Sequence, residues 1–106
     1  MPASFKVRIT QAAETDIQDI WSYIAADSPA NADRFILEME KQLHTLEHFP
    51  QRCPLIPENE HLGTHYRHLL QGDYRTLFRI AGKTVYVARV IHGARLLDDS
   101  LLEKPK

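Results

Sequence analysis

The sequence predicts an α+β protein in which a helical hairpin packs on one face of an antiparallel sheet. Three patterns carry this prediction: an alternating strand near the start, two amphipathic helical segments, and three β-rich segments joined by short turns. Short links join antiparallel neighbours, whereas a parallel crossover takes about a dozen residues or more. The predicted order is therefore β-α-α-β-β-β, with the hairpin covering one face of the sheet.

The first strand and the first helix follow from the spacing of the apolar residues. The segment from Phe5 to Ile9 alternates apolar and polar side chains with period two, which is typical of a strand. Thr10 is a candidate N-cap for the helix that follows. The apolar residues beyond it recur with helical spacing and define a buried helix face: Ala13, Ile17, Ile20, Trp21 and Ile24.

A second helix is predicted to begin after Asp27. Ser28 is the expected N-cap, and Pro29 takes the first helical position, where its missing N–H costs nothing. The helix is expected to run to about Phe49. Its apolar face comprises Ala32, Phe35, Ile36, Met39, Leu43 and Leu46. Two amphipathic helices joined by a short link make a helical hairpin.

A proline-containing loop separates the hairpin from the remaining strands. Pro50, Pro54 and Pro57 oppose regular structure in this region, and Gly63 ends it. Strands are then predicted at 65–70, 74–80 and 85–91, with tight turns between them. The apolar residues from Leu96 onward predict a short C-terminal helix.

Size, composition and charge narrow the classes of function. The chain has 106 residues, of which 43% are hydrophobic, and its net charge is −1. One domain over residues 1–106 with a modest core is expected. No apolar run approaches the roughly 20 residues of a membrane span, and no signal peptide is visible. The single cysteine, Cys53, cannot form an internal disulfide, which is compatible with a reducing compartment. From the lack of a span and of a signal peptide we expect a cytoplasmic protein without a membrane partner.

The histidines and the cysteine offer little context for catalysis or metal binding. His44 and His48 lie at i and i+4 and, with Glu47, spell H-x-x-E-H, but no third ligand is evident. The other histidines fit no standard zinc spacing. Cys53 lies beside the cationic Arg52, yet a loop cysteine without chemistry is the simpler interpretation. We therefore expect no metal and no cofactor.

Arginines within otherwise apolar strands are the strongest functional signal. Strict alternation places Phe78, Ile80 and Val90 against the helices. It also puts Val85, Val87, Arg89 and Ile91 on one shared face, and it gathers four arginines on the face away from the helices: Arg67, Arg75, Arg79 and Arg89. Such guanidiniums repel one another unless an anionic partner or internal carboxylates offset them. With His92 and Arg95 these arginines form a predicted binding surface, although pairing with internal Glu or Asp side chains remains the alternative for each arginine.

A series of short motifs spans nearly the whole chain. In order, they are Ala13, Asp16-Ile17, Ile20-Trp21, Tyr23-Ile24, Ala32, Phe35, Leu46, Phe49-Pro50, Tyr66-Arg67, Gly72-Asp73-Tyr74-Arg75 and the segment from Arg89 to Arg95. This series resembles the RelE/ParE superfamily of toxins from bacterial type II toxin–antitoxin systems. The strand end at Val90-Ile91-His92-Gly93 is most similar to the ParE-like branch.

The resemblance implies a toxin that inhibits DNA gyrase by protein–protein contact and that a cognate antitoxin neutralises in a hetero-oligomer. The alternative is a RelE-like nuclease that cuts mRNA on the ribosome, for which Arg75, Arg95 and His92 would be catalytic. A second alternative is a degenerate, non-toxic member that only binds antitoxin. Leu69 and Leu101 stand where the nucleases carry a basic residue and a tyrosine, and these departures weigh against the nuclease.

Overall fold

The computed structural model describes residues 4–96 as a four-stranded sheet with two long helices on one face. The strands are β1 (Lys6–Ile9), β2 (Arg67–Gln71), β3 (Tyr74–Ala81) and β4 (Thr84–His92). The long helices are α1 (Gln11–Ala25) and α2 (Pro29–Thr45), and a short helix, α3 (Asn59–Leu62), precedes β2. The predicted α+β class and the order of the main elements are confirmed. The predicted tail helix lies outside the described residues, as does Leu101.

The sheet is mixed rather than wholly antiparallel. Its strand order is β1-β4-β3-β2, with β2 and β4 each antiparallel to β3. β1 runs parallel to β4, from Lys6 beside Thr84 to Ile9 beside Val87. The prediction of an antiparallel sheet is therefore wrong for β1. Short links define only the β2–β4 meander, whereas both helices and two strands separate β1 from its partner, which leaves room for a parallel pairing.

Side-chain caps fix where the two long helices begin. The Thr10 hydroxyl accepts a hydrogen bond from the N–H of Ala13 at 3.1 Å. The Ser28 hydroxyl accepts one from the N–H of Asn31 at 3.2 Å, and Pro29 is the first residue of α2. Each cap satisfies a backbone donor that the first helical turn leaves without a partner. Both predicted helix starts are confirmed.

The second helix ends earlier than predicted, at Thr45 rather than near Phe49. Arg52 turns back on this end, and its guanidinium donates to the His48 carbonyl at 3.1 Å and to the Thr45 hydroxyl at 2.8 Å. Phe49 adopts a left-handed backbone with φ 53°, which redirects the chain into a 3-10 turn at Pro50–Arg52. A cation near the last carbonyls also suits the helix dipole.

Buried apolar clusters lie on both faces of the sheet. The helix side is filled mainly by sheet valines and Phe78 against α2, with the members Ala13, Ile20, Met39, Leu43, Leu46, Cys53, Phe78, Val85, Val87 and Val90. The opposite side is smaller and is formed by Ile56, Leu77 and Ile91, with Leu62 and Tyr66 packed against it. The segment that contains α3 therefore covers the sheet face away from the hairpin.

Trp21 was predicted to lie on the buried face of α1, but its side chain is not part of the core. Its side chain is 37% exposed, and the indole Nε1 donates to Asp33 Oδ1 at 3.2 Å. It therefore lies at the outer seam between α1 and α2, where the apolar ring covers part of the hairpin while the N–H reaches a polar partner. Helical spacing identified the correct face for Ala13 and Ile20, but Trp21 lies at its margin.

Candidate binding surface at the end of the β3–β4 hairpin

An irregularity in β4 changes which side chains share a face. Pairing with β3 passes from Val87 to Arg89, so Ala88 is an extra residue in β4. A bulge of this kind breaks the two-residue alternation of side chains. Val87 and Val90 consequently both pack in the helix-side core. The predicted shared face of Val85 and Val87 with Arg89 is therefore wrong.

Arg67 lies apart from the other strand arginines. Its partner across β3 is Phe78, which is buried on the helix side, and opposite residues of an antiparallel pair point to the same face. The Arg67 Nη1 donates to the Cys53 carbonyl at 2.6 Å and to the Gln51 carbonyl at 3.2 Å. The expectation that Arg67 shares a face with the other arginines is wrong, and its guanidinium ties the proline-containing loop to β2.

Arg75 is buried on the sheet face away from the hairpin. Only 5% of the residue is exposed, and Glu58, its partner, is 8% exposed. The two guanidinium nitrogens Nη1 and Nη2 donate to Oε1 and Oε2 of Glu58, the first at 3.2 Å. Nη2 also donates to the main-chain carbonyl of Arg95 at 2.7 Å. A guanidinium enclosed in this way is not presented to a phosphate or to a partner protein.

Arg89 forms a two-pronged ion pair with Asp16 on α1. Its Nε and Nη2 donate to the two carboxylate oxygens, both at 2.7 Å. Asp16 Oδ2 also accepts the backbone N–H of Val90 at 2.9 Å, beyond the point where β1 stops pairing with β4. The carboxylate thus replaces a strand neighbour at the sheet edge. This hydrogen bond to Asp16 raises the pKa of the Arg89 guanidinium.

Three of the six predicted binding residues have exposed side chains: Arg79, His92 and Arg95. The Arg79 guanidinium lies over the Tyr86 ring, 4.5 Å from its centroid. His92 and Arg95 lie at the opposite end of the β3–β4 hairpin, in a turn closed by the Arg95 N–H and the His92 carbonyl at 2.9 Å. The structure therefore brings His92 and Arg95 together and leaves Arg79 separate.

A groove next to His92 was not anticipated from the sequence. The His92 ring meets the Tyr74 ring with centroids 5.6 Å apart, and Tyr74 in turn meets Phe35 of α2 at 5.4 Å. Tyr74 and Phe35 line a depression of about 420 Å³, and a second one of about 500 Å³ adjoins it at Ile24 and includes the exposed Tyr23. Residues from α1, α2 and β3 contribute, so no linear motif could have revealed the groove.

Residues 4–96 offer neither a metal-binding cluster nor a membrane-spanning helix. In this range no group of three or more His, Cys, Asp or Glu side chains is placed to hold a metal ion. His44 instead faces Glu47, with Nδ1 3.4 Å from the carboxylate. No helix within the same range is long and apolar enough to cross a membrane.

His68 gives the fold a predicted dependence on pH. Burial lowers the pKa of His68, the Arg75 cation lowers it further, and Glu58 opposes them. In the unfolded chain His68 takes up a proton near the ordinary pKa of 6.5, whereas the native state resists this protonation. The contribution of His68 to the free energy of unfolding is therefore fully present above pH 6.5 and is lost as the pH falls through the native pKa. We expect urea unfolding to show this decline as the pH is lowered from about 7.5, one unit above the ordinary value, through 6.5 and below.

The variant His68→Gln is expected to flatten this pH dependence of the unfolding free energy, while His61→Gln controls for the loss of a histidine as such. His61 is exposed, whereas His68 pairs across the sheet with the buried Leu77. If wild type and His68→Gln lose stability in parallel as the pH falls, His68 is not the group responsible.

Comparison with known proteins places this arrangement in a family. Residues 7–97 match the model of the ParE toxin of the type II toxin–antitoxin system parDE. A chain of the chromosomal ParDE system from P. aeruginosa has a similar fold, with a TM-score of 0.66 and 18% identity over 84% of this chain and 96% of that chain. At that identity the likeness shows the fold alone.

A chain of the RelBE2 toxin–antitoxin complex from Mycobacterium tuberculosis is also similar, with a TM-score of 0.58 and 26% identity over 88% of this chain and 95% of that chain. A search of curated protein sequences found no significant match. The family model covers 7–97, which is most of the 106-residue chain, and its match agrees with the fold and with the sequence motifs. The chain therefore belongs to the ParE toxin family of type II toxin–antitoxin systems.

Proposed function

We propose that this ParE-family toxin acts in the cytoplasm by binding DNA gyrase, and that a cognate antitoxin neutralises it in a hetero-oligomer. The family match supports the general role. The observation that carries the choice of contact over catalysis is the enclosure of Arg75 by Glu58 and the Arg95 carbonyl. Arg75, one of the two arginines whose positions resemble those of the nucleases, is therefore held inside the fold by its own hydrogen bonds.

Cleavage of RNA requires more than exposed cations. Scission of RNA by its 2′-hydroxyl requires a proton acceptor and a proton donor at the phosphate, with cations to stabilise the developing charge. Here His92 and Arg95 are exposed near each other, but Arg75 is buried. Leu69, at the expected basic position, packs on the helix-side core. The two residues that remain exposed, His92 and Arg95, are suited to recognition of a protein surface.

The proposed contact surface consists of the His92–Arg95 turn and the adjoining groove at Tyr74 and Phe35. It combines a cation, aromatic rings and a concave apolar floor, which are the residue types that dominate binding energy at protein interfaces. An antitoxin segment that covers the groove would block access to the turn. Arg34, Glu38 and Asp73 also line the groove, so charged groups of both signs surround its apolar floor.

Expression of the chain without an antitoxin tests this function. We expect growth arrest with double-strand DNA breaks and loss of plasmid supercoiling, while translation and mRNA remain intact at first. Arg95→Ala is expected to weaken the arrest because it removes an exposed cation from the contact surface. Arg8→Ala, an exposed arginine on β1, is the matched control and is expected to act like the wild type.

Two other outcomes would each contradict the proposal. Cleaved mRNA with normal supercoiling would identify a ribosome-dependent nuclease. Normal growth during verified accumulation of folded protein would identify a non-toxic member that only binds antitoxin. If the chain is the proposed gyrase-directed toxin, co-expression with its cognate antitoxin is expected to restore growth.

A further inference from the structure

One guanidinium joins three segments that are distant in sequence. Arg75 lies in β3, its carboxylate partner Glu58 lies just before α3, and its third contact is the carbonyl of Arg95, beyond the end of β4. The Arg95 contact spans 20 residues and measures 2.7 Å. The bond to Arg95 has a consequence beyond the ion pair, because it ties the turn after β4 to a side chain of β3.

The segment held by this bond is the turn that presents the exposed site residues. The Arg95 N–H donates to the His92 carbonyl at 2.9 Å, and the Ala94 N–H donates to His92 Nδ1 at 3.2 Å. The Gly93 N–H donates to the Asp73 carbonyl at 2.6 Å. The two bonds to His92 close the turn, and the bond from Gly93 to Asp73 fixes where the turn begins. The Arg75 bond holds its end against the sheet.

We propose that Arg75 is a positioning residue, which through the Arg95 carbonyl sets where the His92–Arg95 turn presents its side chains to the target. Arg75 touches no partner in this account, because it is enclosed. The inference rests on the proposed function, since it takes that turn to be part of the contact surface. It predicts that loss of Arg75 weakens the toxin even when the fold is intact.

The experiment must separate loss of the tether from loss of stability. A single change at Arg75 would remove both hydrogen bonds that its guanidinium donates to the buried Glu58 carboxylate, so we pair Arg75→Met with Glu58→Leu. Replacing both members of a buried ion pair with apolar residues of similar size is often neutral for folding. The double variant therefore removes the bond to Arg95 while keeping the core filled. Ile20→Val, in the helix-side core, is the control for a modest loss of stability away from the turn.

Two readouts are compared at conditions where all three proteins are folded. The first is amide hydrogen exchange of Gly93 and Arg95, which we expect to be roughly tenfold faster or more in the double variant, because a hydrogen bond from a charged group is lost. The second is growth arrest after induction without antitoxin, which we expect to weaken in the double variant and to persist in Ile20→Val.

Unchanged exchange at Gly93 and Arg95 would overturn the proposal, and so would faster exchange with undiminished growth arrest. A wild-type chain that arrests growth without acting on gyrase would refute the proposed target only, because both readouts would still decide the role of Arg75. A wild-type chain without effect on growth would overturn the target and the positioning role together, whatever the exchange rates.

Discussion

Replacing Glu58 with Leu is expected to lower the free energy of unfolding by about 3–5 kcal/mol, because it leaves the Arg75 guanidinium buried without its carboxylate. Glu58 is 8% exposed and Arg75 is 5% exposed, so water cannot readily replace the lost acceptor. For a domain of this size the loss is a large fraction of the total stability of roughly 5–15 kcal/mol. Urea unfolding followed by circular dichroism measures it.

Two further variants make this prediction sharp. Glu60→Leu changes an exposed glutamate two positions away and is expected to cost less than about 0.5 kcal/mol. Adding Arg75→Met to Glu58→Leu is expected to recover most of the loss, because both members of the buried ion pair are then replaced by apolar side chains. A cost for Glu58→Leu equal to that for Glu60→Leu would show that the ion pair does not stabilise the fold.

Asp16→Ala is expected to lower the free energy of unfolding by roughly 2–4 kcal/mol, somewhat less than for a fully buried pair because the two side chains are 12% and 19% exposed. The change removes one acceptor for both the Arg89 guanidinium and the Val90 N–H. Because Asp16 belongs to α1 and its partners belong to β4, the loss loosens the hairpin from the sheet edge. Urea unfolding again provides the measurement.

Asp19→Ala is the matched control for Asp16→Ala, since Asp19 is exposed on the same helix. It is expected to change stability by less than about 0.5 kcal/mol. Asp16→Asn should fall between the two, because an amide oxygen can still accept the Val90 N–H but brings no charge to Arg89. Equal stabilities for the Asp16→Ala and Asp19→Ala variants would contradict the account of this edge.

The parts of the fold that local chemistry determines could be predicted from the sequence. Thr10 and Ser28 are residues whose hydroxyls cap helices, Pro29 fits only the first turn, and the short links at Gly72 and Gly82 dictate antiparallel strands. Their structural outcomes matched the expectations. The parallel pairing of β1 depends on how the hairpin crosses the sheet, which no local pattern encodes.

The candidate site was harder to predict because its geometry depends on the extra residue Ala88 in β4 and on the distant loop that contains Glu58. The extra residue at Ala88 shifts the face of every later side chain in β4, and nothing in the sequence marks it as a bulge. Glu58 lies in a proline-containing loop whose path could not be foreseen, so its pairing with Arg75 stayed one of two interpretations.

Supercoiling of relaxed plasmid by purified gyrase and ATP, with and without the purified chain, tests the proposed toxin mechanism most directly. We predict that the wild type and Arg8→Ala block supercoiling and trap cleaved plasmid, and that Arg95→Ala and the Arg75→Met/Glu58→Leu variant do so more weakly. Full supercoiling in the presence of excess folded chain, together with mRNA cleavage in a translating extract, would contradict the account.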